Sequence, residues 1–114
     1  MLTIEKLEQY GAKSSEGLAR CFGNEGLYLR LVGTVPTEGN FAKLHTALEE
    51  NNLDAAFEAA HALKGVLANL SLTPLLEPVE KMTELLRTRS QADYMPLLEE
   101  VDRQKEALRM ICED

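Results

Sequence analysis

The stretch ENNLDAAFEAAHALKGVLANLSLTP, residues 50–74, decides the fold. Asn52 stands where a helix cap belongs, and Leu53, Ala56, Phe57, Ala60, Leu63, Leu67 and Leu70 recur at the three-and-four spacing that lines one helical face. The pattern predicts about 18 residues of helix, roughly 27 Å long. Thr73 and Pro74 then read as a cap and a first-turn proline that open another helix through Val79, Met82 and Leu86, with Pro78 expected to kink its start.

A helix this apolar needs neighbours, and the flanking sequence supplies them. Upstream, TVPTEGN (residues 34–40) is a turn signal, followed by a helix carrying Phe41, Leu44 and Leu48 to about residue 50. Downstream, Tyr94, Leu97, Leu98, Val101, Leu108 and Ile111 predict a last helix over about residues 92–111, with Pro96 in its first turn. Near the start, Thr3 caps a short helix, Ser14 or Ser15 begins a second that stops at Gly23, and Asn24 caps a third. In the third, Leu27, Leu29, Leu31 and Val32 give a weaker periodicity, so the cap and the neighbouring segments favour helix there. No segment alternates long enough to be a strand. The expected class is all-α: an antiparallel, up-down four-helix bundle with one or two short extra N-terminal helices.

Composition narrows the function. The 114 residues, 45% hydrophobic, suit one domain over residues 1–114. With 19 acidic against 12 basic residues, a net charge of -7 and no basic stripe, nucleic acid is not an expected partner. No apolar run reaches the roughly 20 residues that span a bilayer, and the opening residues lack a signal-peptide plan, so a cytoplasmic protein without membrane contact is expected. Cys21 and Cys112 fit no metal-binding or redox spacing and are expected to be reduced thiols.

The chemistry sits on the central helix. His61, Lys64, Gly65 and Ala68 share one strip, being offset by three, four and seven residues. A lone histidine on a helix shoulder ordinarily has no role, but these neighbours change the reading. A neutral imidazole offers a nucleophilic nitrogen, and a lysine one turn away places positive charge beside a phosphoryl group attached to it. Glycine inside a helix costs roughly 1 kcal/mol against alanine, so Gly65 calls for a use. Either it admits a close helix neighbour, or it leaves open surface beside His61 for a partner, or the glycine is merely tolerated. Glu58, one turn before His61, is a candidate to modulate its basicity. His45 lies among Phe41, Leu44 and Leu48 without lysine and glycine following at the same spacing, and reads as structural.

The segment resembles the histidine-containing phosphotransfer (HPt) domain. Its pattern of small residues, histidine, any residue, an aliphatic residue, lysine and glycine is matched by Ala59, Ala60, His61, Ala62, Leu63, Lys64 and Gly65. The resemblance implies that His61 is the phosphoryl acceptor, Lys64 its charge partner and Gly65 part of the docking surface; Ala68 and Glu58, placed near it by helical spacing, are further candidate partner contacts. It also implies partners: receiver domains of response regulators and of hybrid sensor histidine kinases, which would supply the magnesium ion, the chain itself needing no cofactor and acting as a monomer. Two positions depart from the family pattern. Ser71 stands where members commonly have glycine, and Val66 and Leu67 stand where they have small residues.

No nucleotide-binding glycine loop, zinc-protease motif or serine elbow is present, so an enzyme acting alone is not expected. A helical adaptor that binds a receiver without carrying phosphate is the alternative. A metal-dependent enzyme would require His45 and His61 to converge.

Overall fold

The computed structural model describes residues 1–113. Among the described residues there are seven α-helices, α1 Ile4–Tyr10, α2 Ser14–Arg20, α3 Glu25–Thr34, α4 Gly39–Glu49, α5 Leu53–Asn69, α6 Thr73–Arg87 and α7 Met95–Glu113, with a 3₁₀ turn at Val35–Thr37 between α3 and α4. No strand occurs among the described residues. The class is all-α, as expected, with α4 to α7 as the four-helix core; the short helices before it number three.

Helix starts follow the side-chain caps. Thr3 Oγ1 accepts from Lys6 N, Asn24 Oδ1 from Leu27 N and Asn52 Oδ1 from Ala55 N, at 3.0–3.1 Å. Two starts differ from expectation. Leu72, not Thr73, is the cap of α6, leaving Thr73 as the first helical residue and Pro74 the second, still in the turn where no N–H is needed. The last helix begins at Met95, not Ala92, because Tyr94 already accepts from Leu98 N at 2.9 Å while residues 90–93 bridge from α6. Helix α6 continues unbroken through Pro78, whose missing N–H would have faced Pro74 in the first turn.

Helix ends follow another rule. Phe22, Asn51, Ser71 and Arg89 each sit two residues past a helix with φ of 54° to 59°, in the left-handed region. In each case the next N–H folds back onto the third carbonyl from the helix end: Gly23 to Leu18, Asn52 to Ala47, Leu72 to Leu67 and Ser90 to Leu85, at 2.8–3.1 Å. Glycine would be the strain-free choice at all four positions. Gly23, expected to be the cap of α2, is itself left-handed but stands one place beyond Phe22.

Consecutive helices of the core pack side by side through short connections, α4 on α5, α5 on α6 and α6 on α7. Leu44, Ala56, Ala60, Leu63, Leu67, Leu75, Val79, Met82, Leu86, Val101 and Leu108 fill the middle. Across the open side, His45 Nε2 of α4 meets Asp102 Oδ1 of α7 at 2.7 Å, which gives His45 its structural role. The cysteines are unpaired, Cys21 buried and Cys112 half-buried.

Candidate functional site

Helix α5 buries Ala56, Ala59, Ala60, Leu63 and Leu67, which leaves the opposite strip facing outward. His61 and Gly65 are exposed on it, with Lys64 and Ala68 half-buried at its edge. Among the described residues neither ring nitrogen of His61 has a hydrogen-bond partner. Its ring is nonetheless placed: it stacks on Phe57, one turn earlier, with centroids 5.6 Å apart and planes 21° from parallel. A stacked aromatic ring limits the imidazole's orientation while leaving its edge nitrogens open.

The surroundings of this pair are cationic. The Arg87 and Arg89 guanidinium carbons lie 5.4 and 4.8 Å from the Phe57 ring centroid. Arg89 Nε also meets Asp54 Oδ1 at 2.6 Å, joining the end of α6 to the first turn of α5. Lys64 Nζ lies 3.8 Å from Glu84 Oε1 on α6. Arg87 approaches the same carboxylate through Nε and Nη2, each at 3.4 Å. The Arg87 hydrogen bond and charge, with a smaller part from Lys64, hold the exposed Glu84 carboxyl below its ordinary pKa, so it is ionised at neutral pH.

A Cβ added at Gly65 would meet nothing within 4 Å. Close helix packing therefore fails as a use for Gly65, which leaves the open-surface and merely tolerated readings. Ala68 lies farther along the strip, its carbonyl accepting from Arg20 Nη1 of α2 at 3.0 Å. Glu58 is exposed on the other flank, lining a shallow groove with Lys43 and Thr46 of α4 and Glu50 just after it, and makes no hydrogen bond to His61. His45 is turned to α7, so the two histidines do not converge. No cluster of three or more His, Cys, Asp and Glu side chains able to hold a metal ion occurs among the described residues.

Sequence reasoning missed Phe57 as the partner of His61, having placed it in the core stripe, and missed Glu84, Arg87 and Arg89 altogether. The signal for Phe57 was its offset of four residues from His61, which puts the two on neighbouring turns. The three charged residues had no such signal, because their approach depends on how α6 packs against α5.

The Hpt domain family matches residues 37–111 of the chain, which takes in His61 and the core helices and leaves α1 to α3 outside. The chain belongs to the Hpt domain family. Hpt domains act in phosphorelays, where histidine phosphotransfer connects them with receiver domains. Comparisons with curated proteins and with solved structures found no match. Among the described residues of this Hpt domain, no helix is long and apolar enough to cross a membrane.

Proposed function

We propose that this Hpt domain is a phosphocarrier in which His61 takes a phosphoryl group from a receiver aspartate and passes it to another receiver. The observation that carries this reading is the combination at His61: an exposed imidazole with free ring nitrogens, oriented by Phe57, beside Lys64 and the open surface at Gly65. In the forward step the lone pair of one ring nitrogen attacks phosphorus, an N–P bond forms, and the P–O bond to the aspartate breaks. The aspartate leaves as a carboxylate. The ring keeps its proton on the other nitrogen and becomes cationic, and the reverse step restores it. Lys64 offsets charge on the transferring group, with a role in stabilisation and none in bond making. The receiver is expected to contribute the magnesium ion and most of the rate enhancement, so the chain acts as a carrier and not as an independent enzyme.

The test is labelling by receiver domains charged with radiolabelled acetyl phosphate. Acid-labile, alkali-stable label should appear on the wild-type protein and disappear in His61→Gln, with the helical circular dichroism signal unchanged. Binding of receivers without any label would establish the adaptor reading instead, and label surviving in His61→Gln would move the acceptor elsewhere.

A further inference from the structure

We propose that Glu84 is a built-in competitor for the phosphoryl group: its carboxylate occupies Lys64 and Arg87 in the unphosphorylated protein and gives them up when His61 is charged. This rests on His61 being the acceptor. Three contacts define the arrangement. Glu84 Oε1 is 3.8 Å from Lys64 Nζ, and its two oxygens are 3.4 Å from Arg87 Nη2 and Nε. Lys64 is one turn from His61 on α5, and Arg87 lies over the Phe57 ring that stacks on His61. One carboxylate on α6 therefore engages two cations from two helices, Lys64 one turn from the acceptor and Arg87 over the ring that stacks on it.

The distances favour exchange. Charge-assisted hydrogen bonds to carboxylates run to about 2.7–2.9 Å when tight, and these three are longer. All three side chains are also partly open to water. The contrast is Arg89, which grips Asp54 at 2.6 Å and caps the carbonyls of Leu86 and Arg87, and so is committed to holding the helix ends together. Lys64 and Arg87 are held loosely enough to turn. A phosphoryl group brings close to two negative charges where the carboxylate has one, and it wins the competition once it arrives. Until then Glu84 keeps the cations from attracting other anions, and its competition lowers the affinity of His61 for the phosphoryl group. A carrier must release what it accepts, and this sets the balance nearer to even.

The experiment measures the equilibrium partition of label between His61 and a receiver domain that labels the wild-type protein. Glu84→Gln, which keeps the shape and removes the charge, should shift the partition toward His61 by about threefold, the size expected for partly exposed charge pairs. The shift should shrink in 1 M salt, where the screening length falls to about 3 Å. It should also shrink when Lys64→Ala is added, because Glu84 acts through that side chain. Melting curves of the variants check that the bundle is intact. Normal labelling with an unchanged partition, or a shift insensitive to both salt and Lys64→Ala, overturns the proposal for Glu84 alone. A wild-type protein that takes no label on His61 overturns the carrier reading and this proposal together.

Discussion

Arg20 of α2 closes the end of α5 through Ser71: its Nη1 lies 2.6 Å from Ser71 Oγ and also reaches the carbonyls of Ala68 and Asn69 at 3.0 and 3.3 Å. A cation at the last turn of a helix satisfies carbonyls that have no partner within it and complements the negative end of its dipole. Two more contacts fasten the same point. Lys13 N donates to Ser71 O at 2.9 Å, and Tyr28 Oη of α3 donates to the buried Leu70 carbonyl at 2.8 Å. The N-terminal helices, although outside the family match, thus anchor the end of the helix that carries His61.

Ser71 has a φ of 56° at this anchor, a conformation in which a Cβ is strained by about 1 kcal/mol and glycine is not. Ser71→Gly and Ser71→Ala both remove the oxygen that accepts from Arg20, and only the alanine keeps the strain. In urea denaturation Ser71→Gly should therefore exceed Ser71→Ala in stability by about 1 kcal/mol. Equal midpoints would mean that the strain is absorbed elsewhere in the turn.

This position also explains which parts of the fold were legible. Where a helix start carries a polar cap it was legible, and Thr3, Asn24 and Asn52 all proved to accept the expected bonds. Helix ends were harder to read: glycine is the usual left-handed residue, as at Gly11 after α1, but after α2, α4, α5 and α6 that conformation falls to Phe22, Asn51, Ser71 and Arg89. The return hydrogen bond from the following residue compensates each, and nothing in a local sequence window records that bond. In α3 the apolar run hid its own inward face: Tyr28 and Val32 are buried, whereas Leu31 is exposed. At the site, the strip of His61, Lys64 and Gly65 follows from helical geometry alone. Arg20, Glu84, Arg87 and Arg89 reach α5 from other helices and required the packing to be known.

Tyr28 provides a test at alkaline pH. Burial, with a smaller effect from Cys21, pushes its hydroxyl up to about 12 against an ordinary value of 10.0. Between those values the folded protein keeps a proton that the unfolded chain has lost, so stability falls as pH rises from about 10 to about 12. Tyr10 and Tyr94 are shifted in the same direction by burial. Tyr28→Phe should make the decline shallower without abolishing it, as followed by denaturant midpoints at stepped pH. At neutral pH the same variant leaves the Leu70 carbonyl without its partner and should cost about 1–3 kcal/mol.

Lys64 and His45 separate charge stabilisation from structure. Lys64→Ala should slow labelling of His61 about tenfold, equivalent to roughly 1.4 kcal/mol of transition-state stabilisation, with the final label still on His61. His45→Gln should be labelled at the wild-type rate while losing the contact to Asp102 between α4 and α7. Rapid-quench labelling measures both. A wild-type rate in Lys64→Ala would leave Lys64 as a surface partner of Glu84 and nothing more.

Two helical glycines, alike in sequence, should respond in opposite ways to the same substitution. A Cβ at Gly17 of α2 would stand 2.5 Å from Tyr28 Cε1 and 2.7 Å from the Leu70 carbonyl oxygen, inside the anchor at the end of α5. Gly17→Ala must displace that tyrosine or the helix itself and should destabilise by about 1–3 kcal/mol. At Gly65 a Cβ meets nothing within 4 Å, so Gly65→Ala should instead stabilise the fold by up to about 1 kcal/mol, through the lower helix cost of alanine. Transfer should change little with so small a group. Gly65→Leu projects a branched side chain into the open surface beside His61 and should leave the melting temperature near that of wild type while labelling falls sharply. If Gly65→Leu were folded and fully active, the receiver would have to approach His61 from the Phe57 side, over Arg87 and Arg89, and the open surface at Gly65 would have no part in docking.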